Sequence, residues 1–298
     1  MPPSAVASPA RRRAPRRLAV GGALLACLAL LVALLTSRGG DTPGADGVPD
    51  PVPAGGPEGV SWQLELDEDF SGDLATLQDS GTWHTGWFGD GQLTLPVNDL
   101  ETALMSSANL SVADGLARLD VTPNPDGLAL GDGTTYPNLG AALNSDWTQA
   151  PEGFAITYGY VEARMQLPAG DPDEEVWPAF WLNGQTWPDD LEVDVVEGDG
   201  TDEGCKFNIH YGTDDDTINL NDAPRTSTVR GATTGMHTYA ADIRPDGVTF
   251  YYDGVAVGGW EGEVPDVPRY LMVGVTSSGI MDSTRSLLVD HVRAWTRA

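Results

Sequence analysis

The chain has 298 residues and a formal net charge of −28, because 44 acidic residues oppose 16 basic ones. Residues 1–59 contain six arginines and four acids, so residues 60–298 hold the remaining 10 basic and 40 acidic residues, a net charge of −30. A field of this sign excludes nucleic acid as a partner and repels sulfated or uronic polysaccharides. Any polymeric ligand is therefore expected to be neutral.

The N-terminus has the composition of an export signal. Residues 1–17 form a basic segment with five arginines, and residues 18–36 contain an unbroken run of apolar residues and glycine from Leu18 to Leu35. A signal-peptide core has about 7 to 15 such residues, whereas a bilayer span needs about 17 to 25. No clean A-x-A cleavage site follows, so we expect an uncleaved signal anchor, with a cleaved signal peptide as the alternative. Either segment places the rest of the chain outside the cytoplasm, anchored to the membrane or secreted.

The remainder of the chain is predicted to be a linker followed by one large domain. Residues 37–59 are mostly Gly, Pro, Asp and Ala, which is typical of a flexible linker. Residues 60–298 are long enough for one large β-sandwich, and Cys205 is their only cysteine, so no disulfide forms within them.

Short alternating runs with turn signals between them recur in this domain, and no long helical periodicity interrupts them. They predict an all-β jelly-roll sandwich of concanavalin-like architecture, with two curved antiparallel sheets and a cleft on the concave face. The runs are Leu116–Val121, Tyr158–Met165, Val248–Tyr252, Tyr270–Thr276 and Leu287–Trp295.

An aromatic segment, Glu175–Gly184, is followed closely by Trp187. In an extended strand, Trp177 and Trp181 lie on the same face. Indole rings beside carboxylates suit a sugar, because the C–H faces of the sugar stack on the rings while its hydroxyl groups bind polar side chains. We predict that Trp177, Trp181 and Trp187 bind substrate, although core packing is an equally consistent interpretation for at least one of the first two.

The segment Glu192–Glu197 places three carboxylates in a strand rich in valine. Strict alternation puts Glu192 and Asp194 on one face and the valines at 193 and 195 on the other. Glu197 breaks this parity. It joins the other two acids only if the strand absorbs one extra residue as a β-bulge, and we predict that bulge.

Converging carboxylates suit the cleavage of a glycosidic bond with retention of configuration. This chemistry needs a carboxylate nucleophile and a protonated carboxylic acid about 5 to 5.5 Å apart. A third acid between them adds a like charge, which raises the pKa of a neighbour that has to stay protonated. The alternative is a solvated strand face whose acids only protect an edge from aggregation.

Several segments, in their order and spacing, resemble glycoside hydrolase family 16, in particular its laminarinase- and lichenase-like members. The resemblance implies that Glu192 is the nucleophile, Asp194 the assisting carboxylate and Glu197 the general acid/base. Two residues between Asp194 and Glu197 resemble the bulged laminarinase type. The segments that carry the resemblance are Glu65–Phe70, Thr157–Arg164, Trp177–Trp181, Trp187–Glu197, His237–Tyr239, Pro245–Gly247, Tyr251–Gly254 and Val289–Trp295.

The chain departs from the family pattern at Leu191, where a glycine commonly precedes the first catalytic glutamate. The segment Cys205–Tyr211 fits the His-containing strand that often follows the catalytic strand in the family. Asn208 and His210 alternate onto one face there, so they either point into the cleft to bind substrate or form a structural hydrogen-bond pair.

The resemblance also implies a structural calcium ion on the convex side, with Asp290 as a ligand. Hard oxygen ligands suit calcium, and backbone carbonyls near the domain start would complete the set. No cofactor is expected for catalysis.

These features predict a retaining endo-glycosidase that hydrolyses β-1,3- or mixed β-1,3/1,4-glucan, expected to act as a monomer. A lectin-like sandwich that binds glycan without cutting it and a transglycosylase that remodels polysaccharide are the alternatives. Linkage specificity depends on the predicted loops Gly89–Asp99 and Gly131–Asn144, whose conformations composition does not fix.

Overall fold

The computed structural model describes residues 51–88, 92–129, 134–171, 173–212, 217–219 and 229–298. The predicted basic segment, the predicted apolar run and residues 37–50 of the predicted linker lie outside these ranges. Within the ranges, no helix is both long enough and apolar enough to cross a membrane.

Nearly all the regular secondary structure of the described residues is β-strand, and each of the five predicted runs overlaps one strand. Helical structure is limited to α1 (Leu74–Asp79), capped by the side chain of Asp73, and a 3₁₀ turn at Ser107–Asn109. The strands are β1 (Trp62–Glu68), β2 (Leu93–Thr94), β3 (Ala103–Ser106), β4 (Leu110–Ala113), β5 (Leu116–Ala129), β6 (Thr135–Asn144), β7 (Ala155–Ile156), β8 (Gly159–Gln166), β9 (Val176–Asn183), β10 (Glu192–Glu197), β11 (Lys206–His210), β12 (Thr217–Asn219), β13 (His237–Arg244), β14 (Gly247–Tyr252), β15 (Val255–Glu261), β16 (Arg269–Ser277) and β17 (Arg285–Arg297).

The strands pair into two main sheets, which confirms the predicted sandwich. One sheet has the order β4–β5–β17–β8–β13–β14–β15, and β1 pairs beside the C-terminal half of β17. The other has the order β12–β11–β10–β9–β16–β6, with β7 beside the start of β16. We call the first the outer sheet and the second the cleft sheet.

Strand β6 joins the two sheets, because it pairs with β16 of the cleft sheet and with β5 of the outer sheet. It also pairs in parallel with β3, the one departure from the antiparallel pattern among the described strands. The prediction of a loop at Gly131–Asn144 is therefore wrong for most of this range, because residues 135–144 form β6.

The hydrophobic core lies between the two sheets. Val161 and Ala163 of β8 enter it from the outer sheet, and Phe180, Leu182 and Val193 enter it from the cleft sheet; all five are fully buried. Their alternation with side chains of the opposite face fixes which face of β9 and β10 is left for the cleft.

The described end of the predicted linker lies against the outer sheet. The indole Nε1 of Trp295 donates to the carbonyl of Pro51 at 2.9 Å, and the hydroxyl of Tyr160 donates to the carbonyl of Ala54 at 2.9 Å. The amide of Ala54 donates to the carboxylate of Glu162 at 3.0 Å. Backbone polar groups next to buried aromatic rings need such partners, so these residues are ordered where composition alone predicts a flexible chain.

Removal of residues 1–59 is expected to destabilise the domain, whereas removal of residues 1–50 is not. The longer deletion removes three hydrogen bonds worth about 1 kcal/mol each and uncovers the indole of Trp295. For a domain of this size, a loss of about 3 kcal/mol lowers the Tm by roughly 6 to 12 °C. Calorimetry of the two truncations side by side measures this, and equal Tm values would show that residues 51–59 contribute nothing to folding.

Candidate active site

The three carboxylates of β10 lie on one side of the cleft sheet, and the predicted β-bulge is confirmed. Opposite β11, Asp194 pairs with Asn208 and Glu197 pairs with Lys206, so three steps along β10 match two along β11. Opposite β9, the pairing also shifts immediately after Asp194. The extra residue restores the parity of Glu197, so that all three acids line the same cleft.

Burial of the valines in β10 also requires the β-bulge. Val193, Val195 and Val196 are fully buried in the core between the sheets. Two of them are adjacent in sequence, and both can face the core only where the alternation is interrupted. The valines and the acids therefore require the same irregular step.

The cleft has a volume of about 1230 Å³ and crosses β11, β10, β9 and β16. Its walls combine aromatic rings with carboxylates, the composition expected of a sugar-binding groove. The aromatic residues that line it are Trp87, Phe88, Trp177, Trp181, Trp187 and Tyr270, and the acidic residues are Glu101, Asp146, Glu175, Glu192, Asp194, Glu197 and Asp199.

Burial and mutual repulsion change the acidity of the first two catalytic-strand acids. Burial, followed by the charge of Asp194, raises the pKa of Glu192 well above its ordinary value, while His210 opposes the shift. Burial, followed by the charge of Glu197, raises the pKa of Asp194 in the same direction. Asp194 is only 3% exposed, so its surroundings favour the protonated form of this carboxyl group to a higher pH than water does.

Glu197 is held by two donors from neighbouring strands. The indole Nε1 of Trp177 donates to Oε1 at 3.0 Å, and the side-chain amide of Asn208 donates to Oε2. These bonds orient the carboxylate toward the cleft and connect β9 and β11 through it. Both partners are among the residues that the sequence predicts for substrate binding.

His210 stands beside the other two acids. It is the cross-strand neighbour of Glu192, and its Nε2 lies 3.3 Å from Oδ2 of Asp194. One ligand atom from each of these three side chains lies within 4.8 Å of the others. The ring of Trp187 is 6.4 Å from the imidazole, so the two predicted residues form one wall of the cleft.

The three predicted tryptophans occupy different environments. Trp187 is 46% exposed at the cleft surface, and Trp177 is half-buried. Trp181 is 8% exposed and packs edge-on against Trp87 at 5.0 Å. Trp181 therefore both lines the cleft and packs within a small aromatic cluster, and its contact with substrate stays a prediction.

Trp87 and Glu101, which were not among the predicted site residues, form the opposite wall of the cleft. The ring of Trp87 lies against Gly274, where any added Cβ would collide with it. Its indole Nε1 donates to Glu101 at 3.3 Å, and Asn98 donates to the same carboxylate at 3.1 Å. Burial raises the pKa of Glu101 to about 7. Gly274 within a strand was the available signal, because such a glycine often marks a close approach by another group.

The turn before β10 has the shape that the family's glycine would provide. Leu191 has φ +63°, in the left-handed region that favours glycine, and its side chain is buried. Leu191 thus adopts a conformation that a glycine at this position would hold without steric cost. Leucine adopts this conformation at a cost that neighbouring contacts must offset.

Asp290 lies on the outer sheet, away from the cleft residues. Its Oδ2 accepts from Arg164 at 2.8 Å, and its Oδ1 contacts Nδ1 of His291 at 2.7 Å. Calcium prefers six to eight oxygen ligands, and both oxygens of this carboxylate already have nitrogen partners. The described surroundings therefore do not fit a calcium site, and the predicted ligand role stays a prediction.

Known proteins are similar to this chain in sequence. Residues 129–284, just over half of the chain, match the model of "Glycosyl hydrolases family 16". The endo-1,3-1,4-beta-glycanase EglC of Rhizobium meliloti is 28% identical over 258 residues, which cover 77% of this chain and 52% of EglC. A beta-1,3-glucan-binding protein of Penaeus monodon is 32% identical over 119 residues, covering 34% of this chain and 31% of that protein.

Solved structures share the fold. The catalytic domain of an endo-1,3-beta-glucanase (laminarinase) from Thermotoga petrophila superimposes with a TM-score of 0.63 at 19% identity, covering 80% of this chain and 99% of that domain. A two-sheet sandwich with an aromatic, carboxylate-lined cleft defines a β-sandwich protein of the carbohydrate-active class. Within that class, the chain belongs to glycosyl hydrolases family 16. It spans about half the length of EglC and about a third of the length of the glucan-binding protein.

Replacement of Asp194 by Asn is expected to stabilise the protein more at pH 8 than at pH 5. Burial raises the pKa of this carboxyl group in the folded protein, so the unfolded chain ionises at lower pH than the folded protein and the stability of wild type falls as the pH rises. One pH unit of such a shift is worth about 1.4 kcal/mol, so the Tm advantage of the variant should grow by at least about 3 °C between the two pH values.

Calorimetry at both pH values measures the effect, with Asp114→Asn at an exposed turn as the matched control. A Tm difference for Asp194→Asn that does not change with pH would mean that Asp194 ionises normally.

Proposed function

We propose that this domain is a retaining endo-β-glucanase that hydrolyses β-1,3- or mixed β-1,3/1,4-glucan. The observation that carries the proposal is the β-bulge, which places Glu192, Asp194 and Glu197 together on the floor of one aromatic cleft. The names of the related glycanase and laminarinase support this substrate class. The net charge of the domain favours a neutral glucan over an anionic polysaccharide.

In the proposed reaction, Glu192 attacks the anomeric carbon while Glu197 gives its proton to the departing glycosidic oxygen. The bond between that carbon and the oxygen breaks, and a glycosyl ester to Glu192 forms. Glu197, now ionised, takes a proton from water, whose oxygen attacks the same carbon and frees Glu192. Two inversions at one carbon give net retention of configuration.

We propose that Asp194 holds the proton that Glu192 and Asp194 share. Glu192 must be ionised to attack, so the proton retained by Glu192 and Asp194 lies on Asp194 in the reactive state. Its hydroxyl then donates to Glu192 and orients the nucleophile.

An endo mode of attack fits the shape of the cleft. The lining includes residues that precede β10 in the chain, Gln185 and Trp187, and residues that follow the ends of β10 and β16, Thr201 and Ser278. A groove that continues past the reacting bond accepts a polymer in its middle, whereas a closed pocket accepts only a chain end.

The same proposal places the enzyme outside the cytoplasm. Its support is the arginine-rich segment 1–17 followed by the apolar run that starts at Leu18.

A second candidate is glucan binding without cleavage, which the similarity to a beta-1,3-glucan-binding protein favours. A binding protein gains nothing from three crowded carboxylates, since their repulsion and burial cost stability. A reducing-sugar assay on laminarin and lichenan distinguishes the two: release of reducing ends supports the hydrolase, and binding without release supports the second candidate.

Glu192→Gln is expected to lower kcat by at least about 10⁴-fold and to leave the Kd for laminarin within a few-fold of wild type. The amide keeps the size of the side chain but lacks the nucleophilic oxygen, so only the chemical step is lost. Glu152→Gln, which changes an exposed carboxylate, is the matched control. Turnover at the wild-type rate in Glu192→Gln would refute the assignment.

Azide is expected to separate the roles of the two glutamates. In Glu192→Ala, azide replaces the nucleophile in a single displacement, so an activated aryl β-laminaribioside gives the α-glycosyl azide. In Glu197→Ala, the glycosyl ester still forms from this substrate because its leaving group needs no proton, and azide then gives the β-glycosyl azide. NMR of the products assigns the anomers, and the opposite pattern would exchange the two roles.

A further inference from the structure

Arg269 is a buried cation directly behind the catalytic strand. It is the first residue of β16, and its exposed fraction is 0%. Buried arginine is ordinarily paired with a carboxylate, because an unpaired charge in the interior is costly. Within the described part of the chain, no carboxylate lies within ion-pair distance of this guanidinium, and burial lowers the pKa of Arg269 to about 10, so it stays charged near neutral pH.

The partners of Arg269 are backbone carbonyls from three separate segments. Its Nε donates to the carbonyl of Leu191 at 2.8 Å, and this bond is itself buried. Nη1 donates to the carbonyls of Val267 at 3.1 Å and Thr157 at 3.4 Å, while Nη2 donates to that of Pro265 at 3.1 Å. The guanidinium therefore ties the turns before β8, β10 and β16 to one point.

The bond to Leu191 is the important one for catalysis. This carbonyl belongs to the peptide group that joins Leu191 to Glu192, so its direction sets the direction in which Glu192 enters the strand. Leu191 also has φ +63°, a conformation that leucine does not hold without support from its surroundings. A charge-assisted hydrogen bond from a buried guanidinium is a strong support of that kind.

We propose that Arg269 is a positioning residue that holds the left-handed turn at Leu191 and thereby aims Glu192 at the anomeric carbon. The inference rests on the proposed function for its effect on turnover, but the contact between Arg269 and Leu191 stands independently of any activity. Small displacements of a catalytic group of about 1 Å can cost on the order of 100-fold in rate. Loss of this hydrogen bond between Arg269 and Leu191, which we call the clamp, should therefore reduce turnover far more than substrate binding.

The kinetic test compares Arg269→Met, Arg269→Lys and wild type on laminarin. We expect Arg269→Met to lower kcat at least 10-fold while KM changes by less than about twofold. Arg269→Lys should recover part of kcat, because an ammonium group retains donors for the carbonyl of Leu191. Arg244→Met, which removes a partly buried, ion-paired arginine of the outer sheet, is the control that should keep kcat. An unchanged kcat in Arg269→Met, or an equal loss in Arg244→Met, would overturn the proposal.

The second test needs no substrate and uses a double-mutant cycle on the Tm. In wild type, Leu191→Gly removes a buried side chain and is expected to lower the Tm. In Arg269→Met, the same change should cost several degrees less, because glycine holds positive φ without the guanidinium. If the Tm changes of Leu191→Gly and Arg269→Met simply added in the double variant, the proposed clamp would be contradicted. If the Tm changes were not additive but the protein released no sugar from glucan, the clamp would be supported and the proposed function refuted.

Discussion

The conflict between burying valines and gathering carboxylates on a single strand is the constraint on which the rest of the structure depends. β10 must present Val193, Val195 and Val196 to the core and three acids to the cleft, which no regular strand can do. One extra residue reconciles the two demands. The neighbouring strands then supply the groups that hold the acids, with Trp177 and Asn208 on Glu197 and His210 beside Asp194.

Whether the sequence could predict a feature depends on how far apart in the chain the interacting residues lie. The bulge and the shared face of Asn208 and His210 depend on alternation within one segment, so local spacing determines them. The wall built from Trp87 and Glu101 brings together residues far from β16 in sequence, and its one local trace is a glycine at 274. Composition likewise predicted a flexible chain near Ala54, which hydrogen bonds to the outer sheet hold in place.

The site also shows how a fold tolerates groups that reduce its stability. Asp194 and Glu192 resist ionisation where they lie, and Leu191 holds an unfavourable backbone angle immediately before them. The hydrophobic core between the sheets compensates for these costs, since most of its side chains are fully buried. Backbone strain and buried carboxyl groups are thus concentrated within a few residues of the proposed nucleophile.

Lys206, which pairs across the bulge with Glu197, is the sole lysine of the sequence. Reagents that acylate amines have one ε-amino group to modify, and it lies on the rim of the groove. Coupling to an amine-reactive resin through this group would obstruct the groove with the support itself. A small dye attached to the same nitrogen would instead sit beside bound glucan, where its fluorescence could report occupancy.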